Sequence, residues 1–406
     1  MARALPIARL LGVTPFYLDR NCPDTFAHGV ASRFARPMPL PDEAELRGFE
    51  ANTQAWLDAN LPPFEDLPDF DDWLDGTPYT QSRKSELAEE RRCFAGEFPD
   101  EDECHVVKSF MKTEPYLKPK AARPINSRTD LFKVFFGPIV HAIEKRLFNA
   151  RDHDTGNNIF VKYIPVPFRP LLIAALRKVG FYYYSTDYTS FEASFTKRLM
   201  QATSFLLYRH MLQKFPAHWR FIEKILGGKN RIRSKLFQIV VEALRMSGEM
   251  DTSCANGFSN AMVFNHLLVS RGIHGSYVVE GDDGLLAVGR QLTMEDIAVV
   301  EKLGFLLKIT EEEDPCEASF CGLIFADQGV VKDPVRTFVN IGWTNSFIYG
   351  GFRVMLSLAR AKGLALAYET GSCPLNWALA TAMLATTRGV KVTHRPDSYN
   401  QIPSDE

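Results

Sequence analysis

The sequence predicts an α+β fold, and three observations carry that expectation. YVVEGDDGLLAV, Tyr277 to Val288, sets two apolar runs around Gly281, Asp282 and Asp283, the pattern of a tight hairpin. From Phe168 the pattern becomes α/β: FRPLLIAALRKVG reads as an amphipathic helix ending at Gly180, and FYYYSTDY as the aromatic-rich strand that follows. The last stretch, about 70 residues, reads mainly as helix with small and apolar residues.

Composition bounds the possibilities. A chain of 406 residues can hold two or three domains or one multi-lobed unit. Hydrophobic residues at 46% and charged residues at 24% give the balance of an ordinary soluble globular protein. A net charge of −2 excludes a surface coated in basic residues, so any nucleic-acid contact must come from local clusters. The seven cysteines are odd in number and scattered, with no CxxC pair, which argues against a disulfide scaffold or zinc ribbon and for a reducing compartment. MARALPIARLLGV lacks the long apolar core and cleavage site of a signal peptide, and no apolar run approaches the roughly 20 residues that span a bilayer.

Along the chain, residues 37–79 are rich in proline and acid, with Arg47 the only basic residue between Asp42 and Asp75. This segment is expected to be largely irregular and solvated, with helical pieces such as PDEAELRGFEANTQAWLDAN. The charge then inverts. Lys108 to Lys133 carries Lys112, Lys118, Lys120, Arg123 and Arg128 against Glu114 and Asp130, and two X-Pro steps hold it extended. An extended basic ribbon interleaved with Tyr116 suits a phosphate track, although standing alone it would favour a solvated loop. Residues 196–226 read as helical and GGKN as a turn. RIRSKLFQIVVEAL reads as a strand with Arg231, Arg233 and Lys235 on one face. MEDIAVVEKLG is a helix, FLLKIT a short strand, SFCGLIF an apolar run, and HRPDSYNQIPSDE a disordered tail. His141 and His266 have no ligand spacing and are expected to pack.

Three constellations carry chemistry. In STDYTSFEASF, Asp187 ends an apolar strand and Glu192 follows five residues later; a helix cap is the competing explanation. In RMSGEMDTSCANGFSN, Ser247 and Gly248 make a small-residue loop, and Thr252 and Asn256 fall four apart on one helix face. In the hairpin, Asp282 and Asp283 repel one another unless a divalent cation neutralises them, which suits hard oxygen ligands and Mg²⁺. With Asp187 as a third carboxylate, the set fits a two-metal site for phosphoryl displacement.

These motifs, in this order, resemble those of RNA-dependent RNA polymerases of positive-strand RNA viruses. Asp187 and Glu192 match motif A, Ser247-Gly248 through Thr252 to Asn256 matches motif B, and Gly281-Asp282-Asp283 matches motif C. The basic ribbon looks like motif F. SGEMDTS and FCGLIF look most like the tombus-like or noda-like group. The resemblance covers residues 108–335. One departure stands out: motif A usually carries a second Asp where this chain has Glu192.

The resemblance implies a right-hand polymerase whose palm is an antiparallel sheet with helices on one face. It divides the chain into an N-terminal extension bracing fingers and thumb (1–107), fingers (108–180), motif A palm (181–200), a fingers insertion (201–244), the remaining palm (245–330), thumb (331–393) and tail (394–406). It implies template-directed RNA synthesis from NTPs, with two Mg²⁺ ions, or Mn²⁺ in their stead, held by Asp187, Asp282 and Asp283. Lys112, Arg123 and Arg128 would meet the triphosphate, and Glu192, Thr252 and Asn256 the ribose 2′-OH, while Ser247 and Gly248 adjust the template. Lys308 would donate a proton to pyrophosphate. Lys118, Lys120, Arg231, Arg233 and Lys235 are candidate RNA backbone contacts. The implied setting is the host cytoplasm, at membrane-associated replication sites reached through other replicase proteins. A reverse transcriptase is the nearest rival, disfavoured by Thr252 and Asn256; an RNA-binding scaffold without catalysis is the rival from another class.

Overall fold

The computed structural model describes residues 16–19, 22–34, 36–94, 96–112, 114–116, 118, 121–327, 329–344, 347 and 349–394, and the backbone of 5–6. Helices and mainly antiparallel sheets are mixed throughout. The central sheet has four antiparallel strands in the order Gly275–Glu280, Asp283–Val288, Tyr182–Tyr188 and Leu307–Glu312. Aromatic and β-branched residues suit these strands because both faces are covered.

On one face Tyr184, Tyr277, Val279, Leu286 and Val288 share a core with Phe258, Ala261 and Phe264 of the helix Thr252–Arg271. Gly272, at φ +59°, ends that helix in the left-handed conformation that glycine adopts without a steric penalty. On the other face Tyr183, Val278, Leu285 and Ala287 meet Leu172, Ile173, Phe320 and Phe325. The expectation of helices on one face is thus corrected. The second face is closed by a short helix, Arg169–Ala174, which tightens to a 3₁₀ turn, and by the small antiparallel sheet Ser319–Phe320, Leu323–Ala326, Gly329–Lys332. Burial on both sides explains why the hairpin sequence is apolar without alternation. Each fully buried Leu, Val or Phe contributes roughly 1.5–3 kcal/mol.

A second four-stranded sheet runs Pro124–Arg128, Val106–Met111, Lys229–Arg233, Gln238–Glu242, with one parallel pairing between Val106–Lys108 and Arg231–Arg233. Here the reading of RIRSKLFQIVVEAL as one strand is corrected. It folds back as a hairpin, because Ser234 Oγ accepts the backbone N–H groups of Leu236 (3.0 Å) and Phe237 (3.1 Å) and makes a turn. Lys235 lies in that turn rather than on the face bearing Arg231 and Arg233.

The acidic N-terminal segment is also more ordered than expected. Asp42 caps the helix Glu43–Asn60 by accepting from Glu45 N at 2.9 Å. Leu46, Phe49, Trp56 and Leu57, at helical spacing, enter the main core against Thr252–Arg271. His266 packs as anticipated, buried between Asn52 (2.9 Å) and Glu45 (2.8 Å). The C-terminal part is helical, with Phe352–Thr370 and Pro374–Thr386 sharing a small core. The expected tail beyond residue 394 lies outside the described residues. Among the described residues no helix is long and apolar enough to cross a membrane, and the seven cysteines are free.

Candidate active site

The hairpin between Gly275–Glu280 and Asp283–Val288 closes on the pair Glu280–Asp283, leaving Gly281 and Asp282 as its two-residue tip. Gly281 stands at φ +62°, where a Cβ is strained. Thr186 pairs with Gly284, so Asp187 stands level with the hairpin tip on the adjoining strand. Gly284 permits this close approach: a Cβ there would meet the Phe264 ring at 2.5 Å and Thr186 Oγ1 at 2.7 Å.

Electrostatics bind the acids into one group. Burial pushes Asp283 up to about 7, and the carboxylates of Asp282, Asp187 and Glu280 push in the same direction. Asp282 is likewise raised, by burial and then by Glu192 and Asp187. Two segments distant in sequence, 187–192 and 280–283, therefore deliver negative charge to one place. Among the described residues no three His, Cys, Asp or Glu side chains already form a cluster that would hold a metal ion. The donors nearest the tip are carboxylate oxygens, a set that fits a hard divalent cation. Lys308 pairs across the sheet with Asp187 and is exposed.

The tip is held from below by a residue the sequence reading passed over. Asn260, on the helix Thr252–Arg271, donates to the carbonyls of Gly281 (3.2 Å) and Asp283 (3.0 Å). Thr252, Asn256 and Asn260 recur every four residues, so one more helical turn of the same periodicity would have found it.

The Ser247–Asn256 segment docks on the second sheet. Ser247 Oγ donates to the Pro124 carbonyl at 2.8 Å, and a Cβ on Gly248 would meet Asn126 O at 2.8 Å, so glycine is needed for the approach. Asn256 is buried; it donates to Glu192 at 3.5 Å and accepts from Arg245 at 3.1 Å. The Thr252 hydroxyl donates within its own loop, shared between Met246 O (3.1 Å) and Glu249 O (3.0 Å). Arg245, also unanticipated, is fully buried over the Phe195 ring, 3.4 Å from its centre.

Beside this segment lies a cavity of about 150 Å³ whose lining includes Arg33, Lys112, Arg123, Glu192, Arg245 and Ser247. Glu114 organises two of these cations, accepting from Arg123 at 2.5 and 3.1 Å and pairing with Lys112 at 2.7 Å. Burial opposes its charge, but those two cations outweigh it and hold the Glu114 carboxyl at about 2.

Arg128 requires a correction. It is 2% exposed and does not line the cavity. Its guanidinium pairs with Glu249 at 2.6 Å and donates to Asn230 (2.7 Å) and Cys104 O (2.9 Å). The alternation of its strand turns Arg128 inward, where desolvation demands partners. Among the remaining basic candidates, Arg231 is paired with Asp102 at 3.7 Å, and Arg233, Lys235 and Lys118 are exposed; Lys120 lies outside the described residues. In comparisons with known proteins, no family model and no curated protein matches the chain.

Proposed function

We propose that the chain is an RNA-directed RNA polymerase, transferring nucleotides from NTPs to an RNA 3′-OH under the direction of an RNA template. The observation that carries this reading is the coupling of Asp187, Asp282, Asp283 and Glu192, with Asn256 hydrogen-bonded to Glu192, since it brings residues of three sequence motifs within electrostatic reach of one another. On this reading the central sheet is the palm, the second sheet belongs to the fingers, and the C-terminal helices form the thumb.

Asp187, Asp282 and Asp283 would hold two Mg²⁺ ions, which, when bound, supply charge neutralisation for the reacting phosphate and lower the pKa of the primer hydroxyl. Asn260 keeps the hairpin tip, and hence its carboxylates, in a fixed position. Lys112 and Arg123, which line the cavity and share Glu114 as a partner, offer cations to the incoming triphosphate. Glu192 and Asn256 read the ribose 2′-OH; a deoxy substrate leaves them unsatisfied. Lys308, opposite Asp187, is the candidate proton donor to pyrophosphate. Arg128 contributes by bracing Glu249 within the motif B loop rather than by touching the nucleotide.

The test is UMP incorporation on poly(A) with an oligo(U) primer and Mg²⁺, comparing the parent with Asp282→Ala. Synthesis by the parent alone, at equal folding and RNA binding, supports the reading. Activity surviving in Asp282→Ala would remove the hairpin from the metal site. Greater incorporation of dTTP than UTP would favour a reverse transcriptase, and RNA binding without incorporation a scaffold.

A further inference from the structure

We propose that Arg33, on the N-terminal helix Pro23–Phe34, is a specificity-determining residue that positions the Glu192 carboxylate for reading the ribose. This rests on the polymerase reading above. Arg33 lies 75 residues before the earliest expected motif, in a segment to which that reading gives no contact with the nucleotide.

The geometry is direct. Arg33 Nη1 lies 3.8 Å from Glu192 Oε2, while Asn256 Nδ2 donates to Glu192 Oε1 at 3.5 Å. One carboxylate oxygen thus faces the Asn256 amide and the other the Arg33 guanidinium, so the group is flanked from two sides. Both side chains are partly shielded, Arg33 at 33% and Glu192 at 23% exposure, and both line the cavity that holds Lys112 and Arg123. Asp282, Arg123 and the buried Arg245 are other charges that face Glu192.

Arg33 is also held firmly enough to do this. Its helix sits beside the strand ends that Lys112 and Arg123 flank: Phe26 shares a buried cluster with Met111 and Ala122 and meets the Phe237 ring edge-on at 4.4 Å. A Cβ on Gly29 would stand 2.6 Å from Ala122 O, so the helix can approach this closely only with glycine there.

Glu192 raises a physical question that Arg33 answers. Glutamate carries one more methylene and one more rotatable bond than aspartate, so an unrestrained carboxylate samples more positions. Ser190, at φ +56°, and the 3₁₀ turn Phe191–Ser194 fix the backbone beneath it, but the added torsion remains. A cation on the far side removes that freedom. A shorter aspartate would fall short of Arg33 and would not need it.

The experiment measures single-nucleotide incorporation of UTP and dUTP by the full chain, with equilibrium dialysis of the same nucleotides as a readout that needs no turnover. The proteins are the parent, Arg33→Met, Arg33→Lys, Glu192→Asp and the Glu192→Asp/Arg33→Met pair. Arg33→Met is expected to lower the UTP-to-dUTP ratio in kcat/KM and in affinity by roughly two- to fivefold, the worth of one partly exposed ion pair. Arg33→Lys should keep most of the ratio, and Arg33→Met should change it little in the Glu192→Asp background. An unchanged ratio in a folded Arg33→Met overturns the inference, as does an equal loss for both nucleotides, which would put Arg33 on the phosphates. A parent that binds UTP and dUTP alike also overturns it. A parent that discriminates in binding but makes no RNA on any template would count against the polymerase reading and leave the Arg33 result standing.

Discussion

Tyr188 donates its hydroxyl to Asn260 Oδ1 at 3.0 Å, and this fixes which way round the Asn260 amide stands. With its oxygen occupied by a phenol at the end of one strand, the amide nitrogen faces the Gly281 and Asp283 carbonyls at the hairpin tip. The strand bearing Asp187 and the hairpin bearing Asp282 are thereby tied through one buried side chain.

Asn260→Asp follows as the first test. The substitution keeps the volume but replaces two donors with a carboxylate facing two carbonyls, in a site that is fully buried. It is expected to destabilise the protein by about 2–4 kcal/mol in urea unfolding and to reduce incorporation. Tyr188→Phe, which removes only the orienting donor, should cost about 1 kcal/mol. Equal losses for the two variants would contradict the assigned orientation.

Arg128 and Glu249 form a buried pair at 2.6 Å, 1% and 4% exposed at their side chains. Removing one partner strands the other charge, so Arg128→Met should destabilise by about 3–5 kcal/mol. Arg128→Met with Glu249→Leu should recover much of that loss, because two apolar groups need no pairing. A triphosphate contact predicts otherwise: raised KM for NTP with unchanged stability. Thermal unfolding and KM measured on the same preparations separate the two.

The raised Asp283 carboxyl gives a pH signature. Its pKa is about 7 in the folded chain against 3.8 for the ordinary group. A carboxyl raised on folding holds its proton in the native state while the unfolded chain has lost it, so stability falls as pH climbs from about 4 through 7. In chelator, Asp283→Asn should therefore stabilise the protein at pH 8, by about 2 kcal/mol, and leave it nearly unchanged at pH 4. If the proposed cation site is real, Mg²⁺ must displace that proton. Apparent affinity should then weaken up to tenfold per unit below pH 7 and level off above it, readable by calorimetry in buffers of different ionisation enthalpy. A variant equally stable at both pH values would place Asp283 in open solvent.

Much of the central sheet was legible because it is local. The hairpin, the strand Tyr182–Tyr188 and the helix Met294–Lys302, with its Thr293–Asp296 capping box, all follow from residue period and turn chemistry. The acidic segment misled because its many acids drew attention from Leu46, Phe49, Trp56 and Leu57, whose spacing already marked a buried helix face. The single strand read across RIRSKLFQIVVEAL overlooked that Ser234 can cap a turn.

For the site, the sequence by itself determined the carboxylates, the glycines beside them and the helix face that carries Asn256, since each is set by spacing within a short segment. Only the tertiary structure decided which basic residues stay at the cleft. Lys112 and Arg123 line it while Arg128, from the same ribbon, is spent on Glu249, and Arg33 arrives from a segment with no motif at all. The physical reason is that a charge's fate depends on its desolvation and on partners within a few ångströms, and those partners here lie up to about 160 residues away along the chain.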